Sequence, residues 1–102
     1  LIAAFSITPL GPPVGAGGSV GAIVAECVRI VRASGLPNET NAMFTNIEGE
    51  YDEVMAVIKD CVVYVASVAP RVSVVVKMDV LAADPGRRLA SKIRSVEGHL
   101  EG

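Results

Sequence analysis

The sequence predicts an α+β domain: a ferredoxin-like β-α-β-β-α-β sandwich with a four-stranded antiparallel sheet and an extra C-terminal helix. Three observations carry this expectation. Apolar residues alternate at period two over 2–8 and 71–81, the mark of strands with two unlike faces. They recur at helical spacing over 20–34, 51–68 and 84–98. Proline and glycine punctuate the sequence, clustering between these runs and near their ends.

Each element follows in order. In the first strand Ala3, Phe5 and Ile7 face one side, and Ile2, Ala4, Ser6 and Thr8 the other. A Pro/Gly loop spans 9–18. Ser19 then suits an N-cap, and Val20, Ile23, Val24, Cys27, Ile30 and Val31 form one stripe of a helix ended by Ser34-Gly35 and Pro37. Residues 38–50 fit two short strands meeting near Phe44 to Asn46, without a strong turn signal. The second helix, 51–68, begins with Asp52 and Glu53 at its positive end and carries Val54, Val57, Ile58, Cys61, Val62, Val65 and Val68 as its stripe. Over 71–81, Val72, Val74, Val76, Met78 and Val80 share one face; Arg71, Ser73, Val75, Lys77 and Asp79 share the other. Leu89, Ile93, Val96 and Leu100 give the last helix its seam.

Composition bounds the function. The chain has 102 residues, enough for one domain over 1–102, with 51% hydrophobic but 4% aromatic residues. Seventeen Val and thirteen Ala supply most of the apolar mass. Such a surface implies a membrane or a copy of itself. Residues 1–25 are uncharged, yet Pro9, Pro12, Pro13 and five glycines cut them far below the roughly 20 apolar residues a spanning helix needs. No basic stretch precedes them as in a signal peptide. The expectation is a cytoplasmic protein that self-associates. Nine basic and eleven acidic residues are interspersed, which argues against a nucleic-acid surface. Cys27 and Cys61 form no CxxC, and His99 has no evident co-ligand, so no metal site is expected. Both cysteines fall on helical stripes and read as small core residues.

With helices on one face, the other sheet face carries Ile2, Ala4, Ser6, Thr8, Ser73, Val75, Lys77 and Asp79. That mixture suits a sheet-on-sheet contact between copies, with a ligand pocket in it. The loop Gly15 to Gly21 opens a helix, as anion sites do, but matches neither glycine-rich phosphate fingerprint. Thr40 to Glu50 mixes hydrogen-bonding groups with Met43 and Phe44, either as a solvated edge hairpin or as the wall of a small-heterocycle site. Lys77 and Asp79 share a strand face without a nucleophile beside them, so no catalytic residue is expected. Acylphosphatases share the topology but need a first-loop arginine, which is missing here.

Taken together, Ala4 to Gly11, Ser34-Gly35-Leu36-Pro37, Ala42-Met43-Phe44-Thr45, Ile47-Glu48-Gly49-Glu50, Asp52-Glu53-Val54, Arg71-Val72-Ser73, Lys77-Met78-Asp79 and Lys92 to Val96 resemble the small thiamine-binding protein family related to YkoF. The block around Thr45 and Glu48-Gly49-Glu50 is the most specific part. The resemblance implies a ferredoxin-like subunit assembled as homodimers or homotetramers. It implies binding of thiamine or its hydroxymethylpyrimidine part without catalysis or cofactor, in support of vitamin B1 sequestration, salvage or transport. Two departures stand out: a longer Pro/Gly-rich loop at 12–18, and Asn41 in place of Asp. On this resemblance Ser6, Thr8, Asn41, Met43, Thr45, Glu48 and Lys77 are expected to line the pocket, with Ser19 at its mouth. Hydroxyls and amides both donate and accept, as an aminopyrimidine requires. Glu48, Asp79 and Met43 are candidates for the thiazolium. The competing reading is an oligomerisation domain similar to ACT domains, sensing another small molecule such as an amino acid.

Overall fold

The computed structural model describes residues 1–12, 19–41, 43–81, 96 and 100. Its elements are β1 (Ile2–Leu10), α1 (Val20–Ala33), β2 (Asn38–Thr40), β3 (Thr45–Glu48), α2 (Tyr51–Val68) and β4 (Arg71–Asp79). The sheet order is β2-β3-β1-β4, antiparallel throughout. This is the α+β ferredoxin-like arrangement, with α1 and α2 packed on one sheet face. The helix expected over 84–98 lies outside the described residues apart from Val96, as do His99 and the loop residues 13–18.

Pairing confirms how the faces divide. Ile2, Ala4, Ser6 and Thr8 of β1 stand opposite Asp79, Lys77, Val75 and Ser73 of β4. Cross-strand partners share a face, so all eight lie on the side away from α1 and α2. Ala3 and Phe5 point the other way with Ile47 of β3, and all three are buried. They meet Val31 of α1 and Val54, Val57, Ile58 and Cys61 of α2 in the main core cluster. A second cluster holds Ile23, Val65 and Ala69, and Ile7 and Cys27 pack against both.

The strand limits differ from expectation. β1 runs two residues further, to Leu10, because β4 pairs with it along its whole length. β3 pairs only with Ile2 to Phe5. From Ser6 onward, the β3 side of β1 has no strand partner among the described residues, and Pro9 is tolerated on such an edge. β4 stops at Asp79, where β1 ends its partnership at Ile2.

The β2–β3 turn also lies elsewhere than expected, at 41–44 rather than near Phe44 to Asn46. Asn41 is the cause. Its side-chain oxygen accepts from the backbone N–H groups of Met43 and Phe44, each at 2.9 Å, while its own N–H donates to the Phe44 carbonyl at 2.9 Å. This is an Asx turn. Asn41→Ala should therefore cost about 1 kcal/mol, the worth of a hydrogen bond lost without replacement, whereas Asn41→Asp should be near neutral. Urea denaturation of the two variants checks the contrast.

The helix ends obey local chemistry. Ser19 caps α1, its hydroxyl accepting from Ala22 N–H at 3.1 Å. Gly35 follows α1 with φ of +74° and donates to the Arg32 carbonyl at 3.3 Å. A side chain there would be strained, which is why glycine ends this helix. The Glu50 N–H donates to the Glu53 carboxylate at 3.3 Å at the start of α2. At Gly49 an added Cβ would approach the Leu36 methyls at 3.3 Å. The β3–α2 junction is thus held against the segment that follows α1.

Candidate functional site

Where β3 stops pairing, β1 and the 41–44 turn separate, and α1 bridges the gap. The result is a cavity of about 300 Å³. That is at the lower end of the range for small-molecule sites. Phe5, Ser6, Ile7, Thr8 and Pro9 of β1 form one wall. Thr40, Asn41, Met43, Phe44 and Thr45 form the second, and Val20, Ile23, Val24, Cys27 and Val28 of α1 form the third, with Val65 behind them.

The alternation of β1 explains its contribution. Phe5 and Ile7 reach the cavity from the helix side, while Ser6 and Thr8 border it from the other side of the same free edge. The Thr40 and Thr45 hydroxyls lie 3.3 Å apart across β2 and β3. Both sit on the helix side, because Thr45 stands opposite Phe5 and Thr40 opposite Thr45. The α1 stripe extends beyond the core: Ile23 is 1% exposed, but Val20 and Val24 are 58% and 44% exposed. These two valines continue the apolar stripe onto the cavity wall.

Five of the expected site residues, Ser6, Thr8, Asn41, Met43 and Thr45, thus border one cavity. Ser19, Glu48 and Lys77 are not among its lining residues. Ser19 is engaged as the α1 cap. Ser19→Ala should cost about 1 kcal/mol of stability, measured by urea denaturation, with any change in ligand affinity following from the helix end. Glu48 is 2% exposed at the far end of β3, and Lys77 stands opposite Ala4 on the sheet face away from α1 and α2. The cavity itself lies at the end of the sheet under α1, not on that open face as the sequence suggested. Thr40, Phe44 and the α1 residues are additions to the expected set. Thr40 carried a signal in its hydroxyl beside Asn41. The α1 residues carried none, since core and cavity walls share one helical stripe.

The lining is mostly apolar, with a few hydroxyl and amide groups and no charge: among the described residues it contains no Asp, Glu, Lys, Arg or His. Its one titratable group is the Cys27 thiol. Cys61 lies behind it on α2, fully buried, with its Sγ 3.7 Å from the Cys27 carbonyl oxygen. Interaction with the neighbouring Cys61 thiol holds Cys27 below the usual thiol range, against burial and the nearby Glu26 carboxylate. The same interaction, followed by burial, pushes Cys61 up. Among the described residues there is no group of His, Cys, Asp or Glu placed to hold a metal ion. No helix among them is long and apolar enough to cross a membrane.

Comparison with known proteins gives concordant results. A family model described as thiamine-binding protein matches residues 3–97. A UPF0045 protein of Mycobacterium bovis is 52% identical, covering 98% of this chain and 94% of its own. A UPF0045 protein of Synechocystis is 38% identical over 87% of this chain and 74% of its own. Among solved structures, a hypothetical protein of Methanocaldococcus jannascii superposes with a TM-score of 0.79 at 30% identity, covering 94% of each chain. A Thermotoga maritima protein proposed to act in thiamine biosynthesis or salvage has a TM-score of 0.75 at 20% identity, covering 93% of this chain and 96% of its own, which supports the shared fold.

Proposed function

We propose, because the chain belongs to the thiamine-binding protein family, that it binds thiamine or the hydroxymethylpyrimidine part of thiamine in the cavity beside β1, without catalysis. The observation that carries this reading is the β3-side edge of β1 from Ser6 onward, without a strand partner among the described residues, facing the Thr40–Thr45 hydroxyl pair across an uncharged cavity. An aminopyrimidine presents an amine donor beside ring-nitrogen acceptors. Hydroxyls of Thr40 and Thr45 meet both needs, and the β3-side edge of β1 from Ser6 to Pro9, without a strand partner among the described residues, adds backbone groups. Asn41 acts mainly by shaping the turn, since its side-chain oxygen is already engaged. The thiazolium, a cation with a soft ring, suits the Phe44 face and the Met43 sulfur at the rim. A role in vitamin B1 sequestration, salvage or transport follows from binding without turnover.

The same reading includes self-association through the sheet face away from α1 and α2. Val75, 56% exposed in the middle of β4, is the most apolar point offered there. Val75→Glu should convert a dimer or tetramer to monomers in light scattering; an unchanged mass would remove this face from the contact.

Calorimetric titration with thiamine, hydroxymethylpyrimidine and the isolated thiazole alcohol tests the ligand. Heat and saturation are expected with the first two and none with the third. Thr45→Val should weaken binding by about tenfold, because a buried polar group of the ligand loses its partner. A thermal shift with amino acids but not with thiamine would favour the ACT-like alternative. At a hundredfold excess over Kd, thiamine should add about 2.7 kcal/mol of stability.

A further inference from the structure

The binding reading leaves the cysteine pair unused. Cys27 is half-buried and forms part of the cavity wall, so a small solute that enters the cavity meets its sulfur. Cys61 is 0% exposed and cannot be met first. The two are thirty-four residues apart in sequence, yet the Cys61 thiol reaches the Cys27 backbone at 3.7 Å across the α1–α2 contact. Both are free thiols. The arrangement places one cavity-lining cysteine beside one fully buried cysteine on the facing helix.

We propose that Cys27 is a site of oxidation by small hydroperoxides entering the cavity, and that Cys61 resolves the product to an intrachain disulfide. In the first step the Cys27 sulfur attacks one peroxide oxygen. An S–O bond forms, the O–O bond breaks, and the other oxygen leaves as water or an alcohol after taking a proton. Cys27 becomes a sulfenic acid, its sulfur oxidised by two electrons. In the second step the Cys61 sulfur attacks the Cys27 sulfur. An S–S bond forms, the S–O bond breaks, and water leaves with the Cys61 proton. Two thiols and one hydroperoxide thus give one disulfide, one water, and one further water or alcohol. Exposure to the cavity makes Cys27 the first to react, and the lowered thiol range of Cys27 beside Cys61 acts in the same direction. The product would draw the Cys27 sulfur from the cavity wall towards α2, so oxidation would reshape the cavity.

Peptide mapping by mass spectrometry tests this on the reduced full chain treated with hydrogen peroxide. Expected is the loss of two hydrogens, one Cys27–Cys61 linked peptide pair, and reversal by dithiothreitol. In Cys61→Ala the expected product is a Cys27 sulfenic acid trapped by dimedone. Cys27→Ser should leave Cys61 reduced. The inference is overturned if both thiols of the wild-type protein stay reduced while glutathione in the same tube oxidises. It is also overturned if the linkage is between chains or if Cys61 reacts in Cys27→Ser. The wild-type map decides even if a variant does not fold, and it needs no ligand, so it is independent of whether thiamine binds.

Discussion

Phe5→Ala is expected to lower folding stability by about 3–5 kcal/mol. Phe5 is 4% exposed on a central strand, between Thr45 of β3 and Val76 of β4. It belongs to the main core cluster and also forms part of the cavity wall. Removing the ring leaves a void that the rigid neighbours Val31, Ile47 and Val54 cannot close. A domain of this size has a total stability of about 5–15 kcal/mol. The variant should therefore unfold at a much lower urea midpoint with an unchanged slope. A loss below about 1 kcal/mol would mean that Phe5 is not the pillar between core and cavity. The same truncation enlarges the cavity, so residual folded protein should bind its ligand more weakly.

Val24→Trp is expected to have the opposite profile, abolishing binding while sparing the fold. Val24 sits in the second turn of α1, 44% exposed, on the cavity wall. An indole there has room to turn into the cavity of about 300 Å³ and fill much of it. Thiamine affinity should fall by more than about tenfold, which corresponds to about 1.4 kcal/mol. Stability should change by less than about 0.5 kcal/mol, as is usual for exposed positions. Val63→Trp, at a 58% exposed position on α2 outside the cavity lining, provides the comparison and should leave binding unchanged.

These contrasts show which parts of the molecule the residues themselves disclosed. The alternation in β1 and β4 assigned both sheet faces, because a strand has period two and the pairing register then had to bring Ile2, Ala4, Ser6 and Thr8 opposite Asp79, Lys77, Val75 and Ser73. α1 and α2 were legible from their stripes and their ends. The 41–44 turn was not, because an Asx turn depends on where one amide oxygen points, and Asn41 sits among other polar residues. The cavity was only half legible. Ser6, Thr8, Met43 and Thr45 stood out as polar or soft groups in apolar surroundings. Val20, Val24 and Cys27 did not, since a stripe that borders a core and then a cavity has one periodicity throughout. Nor does the sequence disclose that β3 ends its pairing at Phe5, the circumstance that frees the β1 edge and opens the cavity.

The placement of the ligand can be measured directly by following backbone amide resonances of the full chain while thiamine is added. Occupation of the cavity moves the resonances of Ser6, Ile7 and Thr8 together with Val24, Thr40 and Thr45, and leaves Lys77 and Val75 in place. Shifts confined to Asn46, Val75 and Lys77 would put the ligand on the sheet face away from α1 and α2 instead, and no shift at saturating thiamine would contradict thiamine binding itself.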